Sequence, residues 1–263
     1  GHKIAFLILV LFFLYRYNID SYNLIFIYTL SLLIPSISII KYLRVESSSR
    51  KSISLSEFLN MYNSGVLFFS INIFNLLIVN IERLIIPLIY GNEALGVYTA
   101  LTFVYITIFT MVGTSIGYVL FPELSKKSSI DYKSMVMICT LILFSLCSLF
   151  YCFGFNFNSL IYNQKFDSYR AFNIDFIIIF IGALQFINGL MHWFILGVGG
   201  RELFISYLKV IIFALFIYIL AIFYSIKILD MSFLGIIPVV LFGWTIKVIL
   251  TYLFIIKNKS IIK

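Results

Sequence analysis

The feature that most constrains this chain is a succession of long apolar runs with almost no charge inside them. Eight are separable, at 4–17, 22–43, 58–90, 95–121, 135–153, 174–197, 203–225 and 232–256. Most are far longer than the ~10 alternating residues of a membrane β-strand. Most also reach the ~20 residues that carry a helix across a bilayer. Within hydrocarbon a helix satisfies its own backbone groups, so the expected fold is an all-α polytopic membrane protein of about eight helices. Composition agrees: 62% of residues are hydrophobic and 11% charged, against roughly 45–50% and 25% in soluble domains. The mean hydropathy is +1.07.

The first run is short for a span and lacks a small-residue cleavage site, so it does not read as a signal peptide. The chain begins Gly-His-Lys, and sequence is expected upstream. The longest joints are 44–57 and 154–173. Neither is large enough for a catalytic domain. "RVESSSRKSISLS" reads as a polar, basic linker between two helical groups, which divides the chain into 1–43, 44–57 and 58–263. Cys139, Cys147 and Cys152 have no His or carboxylate at metal spacing and are read as packing residues. No phosphate loop, acid pair or nucleic-acid motif is present, so no enzyme activity, cofactor, metal or nucleic-acid partner is expected. "GVGGRE" joins two membrane helices and reads as a tight turn.

Positive charge gives an orientation. If the joints alternate sides, one side holds Lys3, Lys41, Arg44, Arg50, Lys51, Lys126, Lys127, Lys133, Arg201, Lys257, Lys259 and Lys263. The other holds Arg16, Arg83, Lys165, Arg170 and Lys227. The richer side is expected in the cytoplasm, with both ends of the chain, and against anionic lipid headgroups.

A few polar residues interrupt the spans, and such residues usually face a cavity or one another. In "IVNIERLIIPLIYG", Asn80, Glu82 and Arg83 precede Pro87. The segment 58–90 would be about 50 Å long as a helix, so it must tilt, bend or pass the interface. Glu82 and Arg83 either sit at the outer interface or face a wet lumen, and Pro87 is a candidate kink. Neighbours on a helix do not face each other, so each of the two charges needs another partner. Asn72, Asn75 and Asn80 fall near one face, suited to helix–helix hydrogen bonds or a wet surface. Lys247 lies about 13–14 Å from the end of its span at Ile256, too deep to snorkel fully, and reads as a cavity cation. Lys209, six residues into its span, snorkels. His192, beside Trp193, reads first as an interfacial anchor and second as a titrating relay.

"NIERLIIPLIYGNEALGVYTALTFVY", "FPELSKK" and "LIYNQKF…ILGVGGRELF" together resemble the C-terminal part of bacterial polysaccharide flippases. These are members of the multidrug/oligosaccharidyl-lipid/polysaccharide exporter superfamily. The resemblance covers nearly the whole chain with loose motifs. It implies a twelve-helix transporter of two lobes around a lumen, with helices five and six at 4–43, helices seven to twelve at 58–256, and four helices further upstream. It also implies transport without chemistry, of an undecaprenyl-diphosphate-linked oligosaccharide across the cytoplasmic (inner) membrane, for O-antigen or other surface polysaccharide. Arg83, Lys247, Asn72, Asn75 and Asn80 would then line the lumen. Glu82, standing where the family commonly has Asp, would carry a proton or sodium ion. The alternatives are a drug or cation exporter of the same superfamily, a peptidoglycan-lipid flippase, and, in a different class, a membrane polysaccharide polymerase.

The orientation is testable by labelling. A cysteine placed within Ser47–Ser49 of the otherwise cysteine-free protein should not react with an impermeant thiol reagent applied from outside. Reaction in intact cells would mean that the two sides are reversed.

Overall fold

The computed structural model describes residues 54–125, 132–162 and 172–258. The expected helices at 4–17 and 22–43, the linker up to residue 53, and the basic residues Lys126, Lys127, Lys165 and Arg170 lie outside the described residues. The chain divides into two compact units, Gly1–Leu59 and Asn60–Lys263, and the second holds nearly all of the described residues.

Among the described residues the secondary structure is helical, with no strand. The helices are α1 (Leu55–Ser125), α2 (Tyr132–Tyr162), α3 (Phe172–Val198), α4 (Arg201–Lys227) and α5 (Ile236–Lys257), with a single 3-10 turn at Phe233–Gly235. All five α-helices contain stretches long and apolar enough to cross a membrane. The stretch in α1, Tyr62–Phe121, is 60 residues long. Straight, it would measure about 90 Å, three times the hydrocarbon thickness.

It is not straight. Gly91 has φ 86 and ψ 170, the one non-helical residue inside α1. That region of backbone space is essentially reserved for glycine, because a Cβ would clash there. The consequence shows in the contacts of two neighbouring α3 residues. His192 bonds Asn75, whereas Trp193 packs on Gly117. Residues 75 and 117 would be about 63 Å apart on an unbroken helix. The chain therefore doubles back at Gly91, and α1 is a hairpin of two antiparallel limbs. The joint falls where the apolar pattern breaks between 90 and 95. Pro87, the sequence candidate for a kink, sits inside regular helix instead. Proline already has a helix-compatible φ and forfeits a single donor, whereas the glycine reverses the direction of the chain.

The remaining order follows from contacts at successive levels. Tyr105 donates to Asp175 Oδ1 at 3.3 Å, Thr110 to Gln185 Oε1 at 2.9 Å, and Gly117 meets Trp193. The second limb of α1 thus runs parallel to α3. Tyr207 stacks near Phe254 at 5.6 Å, and Gly243 lies under the Tyr218 ring, so α4 and α5 are antiparallel. The α3–α4 turn is tight, as expected: Gly199 N–H bonds Ile195 O at 2.9 Å, and α4 begins at the next residue but one.

Several glycines act as seats for aromatic rings. A Cβ at Gly117 would lie 2.0 Å from Trp193, at Gly182 2.4 Å from Phe109, and at Gly154 2.6 Å from Tyr105. Gly154 accounts for one difference from expectation. It reads as a helix end in the sequence, yet α2 continues to Tyr162; the missing side chain makes room for Tyr105 rather than ending the helix. Small residues at such points let helices approach where lipid supplies no hydrophobic drive between them. The outward faces carry exposed Phe180, Phe213, Phe216, Phe223 and Phe242, which suits lipid.

Gly91→Ala should destabilise the protein by roughly 1–3 kcal/mol through backbone strain. Gly96→Ala, where a Cβ meets nothing within 4 Å, should be neutral or stabilising by up to about 1 kcal/mol. Reversible unfolding in mixed micelles measures both.

Candidate functional site

Inside this bundle four helices meet at one amide. Asn75 of α1 receives a hydrogen bond on Oδ1 from Lys247 Nζ of α5 at 2.6 Å. Its Nδ2 lies 3.0 Å from His192 Nδ1 of α3. The same His192 nitrogen is 3.2 Å from the hydroxyl of Tyr207 of α4. Lys247 is 1% exposed and His192 7%. The ammonium also stands 4.7 Å from the centre of the Trp244 ring, one turn earlier on α5, a separation at which the ring face attracts a cation. Trp244 Nε1 is itself buried without a hydrogen-bond partner.

Glu82 forms a second buried centre, two turns along α1. It is 2% exposed and accepts a hydrogen bond from the Tyr218 hydroxyl of α4 at 3.2 Å. Tyr98, on the returning limb of α1, lies within electrostatic range of the same carboxylate. Its hydroxyl is buried with no partner in hydrogen-bonding geometry. Arg83 is half-buried, and its Nε has no hydrogen-bond partner. Arg83 makes no ion pair with its neighbour Glu82, although its charge lies within electrostatic range of Glu82 and Tyr98. A third set lies on α3, where Thr110 bonds Gln185, and where Gln185 Nε2 and Asn188 Oδ1 are buried unpartnered.

The residues singled out in the sequence therefore separate. Asn75 and Lys247 come together. Glu82 is buried nearby with a different partner. Asn72 and Asn80 do not join them: their side-chain amides donate to Phe68 O at 2.8 Å and Leu76 O at 2.9 Å on their own helix. A short polar side chain in a dry environment can satisfy itself on the carbonyl four residues back, so the stripe of asparagines is not a continuous wet face. His192 is no interfacial anchor. It is a buried member of the Lys247 cluster, because its ring finds Asn75 and Tyr207 within the bundle. Lys209 is exposed. The three cysteines are free thiols, Cys139 buried and Cys152 exposed.

Tyr207 and Tyr218 were not singled out in the sequence. They lie eleven residues apart, about three turns, and hence on one face of α4. Gln185, Asn188 and His192 follow the three-and-four spacing of one face of α3 in the same way. Those spacings were the available signals. Among the described residues, no three His, Cys, Asp or Glu side chains converge as metal ligands would.

A family model described as polysaccharide biosynthesis protein matches residues 8–171. The matched segment contains Asn75, Glu82 and Arg83, while their partners His192, Tyr207, Tyr218 and Lys247 lie beyond it. No curated protein and no solved structure matches the chain.

Removing the donor to a buried carboxylate leaves its charge unsatisfied. Tyr218→Phe should therefore destabilise the bundle by about 1–3 kcal/mol. Tyr224→Phe, at an exposed position of the same helix, should change stability by less than about 0.5 kcal/mol. Unfolding in mixed micelles compares the two.

Proposed function

The chain belongs to this family of polysaccharide biosynthesis proteins, and we propose that within it the protein is an exporter that flips a lipid-linked oligosaccharide. The cargo is an undecaprenyl-diphosphate-linked repeat unit, moved from the cytoplasmic to the outer leaflet of the inner membrane for surface polysaccharide such as O-antigen. The work is transport and no covalent chemistry is assigned to the chain. The basic joints and both chain ends face the cytoplasm in this reading, against anionic lipid.

The observation that carries the reading is Lys247. Its ammonium is buried in an apolar bundle, and the partners found for it are a neutral amide and an aromatic ring. A lysine neutralised by a carboxylate would hold little attraction for a diphosphate. One held by a neutral oxygen keeps its charge for an anion that displaces the amide. Arg83 adds a planar guanidinium about two turns further along α1 than Asn75, suited to phosphate or carboxylate. Glu82 supplies an acid that a proton or sodium ion can neutralise, and so a means of coupling to an ion gradient. Access to Lys247 requires the helices around it to part, as alternating access does.

The test is made with the complete gene, deleted and restored, by asking which leaflet holds the lipid-linked repeat unit. Deletion should trap it in the cytoplasmic leaflet, and restoration should release it. Lys247→Ala and Arg83→Ala, at matched protein levels, should each lower release by about tenfold or more, as loss of a buried charged contact does. Normal release in both variants would remove these residues from the site. Arrival in the outer leaflet without polymerisation, in the deletion strain, would replace the flippase reading by a polymerase.

A further inference from the structure

The hydrogen bonds around Asn75 fix more than position. Lys247 has only donors, so the atom of Asn75 that faces it at 2.6 Å is the carbonyl oxygen. The amide then has one orientation, and its NH2 group faces His192 Nδ1 at 3.0 Å. That nitrogen must accept. His192 is therefore neutral, with its proton on Nε2, for as long as Lys247 holds the amide oxygen. The Tyr207 hydroxyl stands 3.2 Å from the same nitrogen and competes with the Asn75 N–H for its one lone pair.

The converse arrangement is equally constrained. A proton on His192 Nδ1 would point at the N–H groups of Asn75, with the Tyr207 hydroxyl oxygen at 3.2 Å as its other neighbour; Asn75 could accept it only by turning its oxygen away from Lys247. The amide would then present two N–H groups to an ammonium, a contact with no acceptor. Because Lys247 and His192 face opposite ends of the amide, its oxygen serves one or the other in either orientation. The groups that surround His192 sharpen the choice. From α5 comes Lys247, the charge that His192 feels most directly. From α4 comes Tyr207, from α3 itself the neighbouring Trp193, and from α1 the uncharged Asn75. Glu82 of α1 is seven residues away from Asn75 and bonded to Tyr218.

We propose that His192 is a proton-binding site coupled through the single amide of Asn75 to the release of Lys247. When the ammonium leaves Asn75, the amide is free to turn its oxygen to His192, which then takes up a hydrated proton from the bulk solution on Nδ1. In the resting arrangement the pocket holds one positive charge, on Lys247. A second beside it in a medium of low polarity is unfavourable until an anion answers the first. An anion engaging Lys247 does both things at once: it draws the ammonium from the amide and offsets its charge. Proton uptake at His192 is thus tied to occupancy of Lys247. The last step rests on the reading of Lys247 as an anion-binding residue, whereas the coupling itself rests on the hydrogen-bond pattern alone.

The tautomer of His192 can be read directly by nitrogen NMR of the full chain, 15N-labelled at histidine, in lipid nanodiscs. His2→Ala removes the other histidine signal. In the otherwise unaltered protein near neutral pH, Nδ1 should appear as an unprotonated acceptor and Nε2 as N–H. Lys247→Met, which frees the amide oxygen permanently, should bring up a population with the proton on Nδ1, and Lys247→Arg should not. In the Asn75→Leu background, Lys247→Met should produce no such gain. A protonated Nδ1 in the parent protein overturns the proposal without any further variant. So does a Lys247→Met spectrum identical to the parent, or the same gain with and without Asn75. The leaflet measurement decides the flippase reading separately, so the two can fail independently.

Discussion

An ammonium group in an apolar helix bundle has no water to turn to, and the oxygen of Asn75 meets that need in this protein. To place one asparagine oxygen 2.6 Å from Lys247, while its nitrogen reaches His192, α1, α3 and α5 must be in register along their axes. Tyr207 brings α4 to the same point. Such directional contacts matter more in a membrane than in water. Greasy surfaces between helices gain little by leaving lipid, so close packing and hydrogen bonds decide the register. The aromatic-on-glycine contacts perform the packing half of that task. Trp193 on Gly117 and Tyr218 on Gly243 sit within a turn or so of the polar groups. Each ring over a glycine brings two backbones together beside a point where side chains must bond.

The helical character and the segment positions between 58 and 256 were legible because both follow from composition and run length. The reversal near residue 91 was legible as a break in hydropathy, but the sequence points to the wrong agent. Proline is the louder helix-breaker in a sequence, yet a single glycine with φ 86 turns the chain. Gly154 misleads in the opposite sense, because an absent side chain has two uses and the sequence does not say which. The site was half legible. A lysine deep in a span is conspicuous anywhere, and Asn75 lies in a stripe of asparagines. What distinguishes Asn75 from Asn72 and Asn80 is the helix opposite. Two of the three close on their own backbone, while the third has a histidine and a lysine within reach. No property of α1 alone carries that information.

Glu82 and Lys247 are the two buried charges of opposite sign in the described core, and they are not paired. Glu82 and Asn75, which holds Lys247, are two turns apart on α1, about 10 Å along its axis. A direct ion pair between Glu82 and Lys247 would bind α1 to α5 strongly once formed, and breaking it would leave two uncompensated charges. Separate neutral partners avoid that lock. Tyr218 holds Glu82 with a hydroxyl, and Asn75 holds Lys247 with an amide. Each such bond is weaker than a charge pair and can be exchanged for a bond to an ion or an anionic group. A bundle built this way stays ordered while its charges remain open to replacement partners. That property suits the transport of a charged cargo proposed above, and it gives the uncharged residues Asn75 and Tyr218 as large a part in the design as the charges they hold.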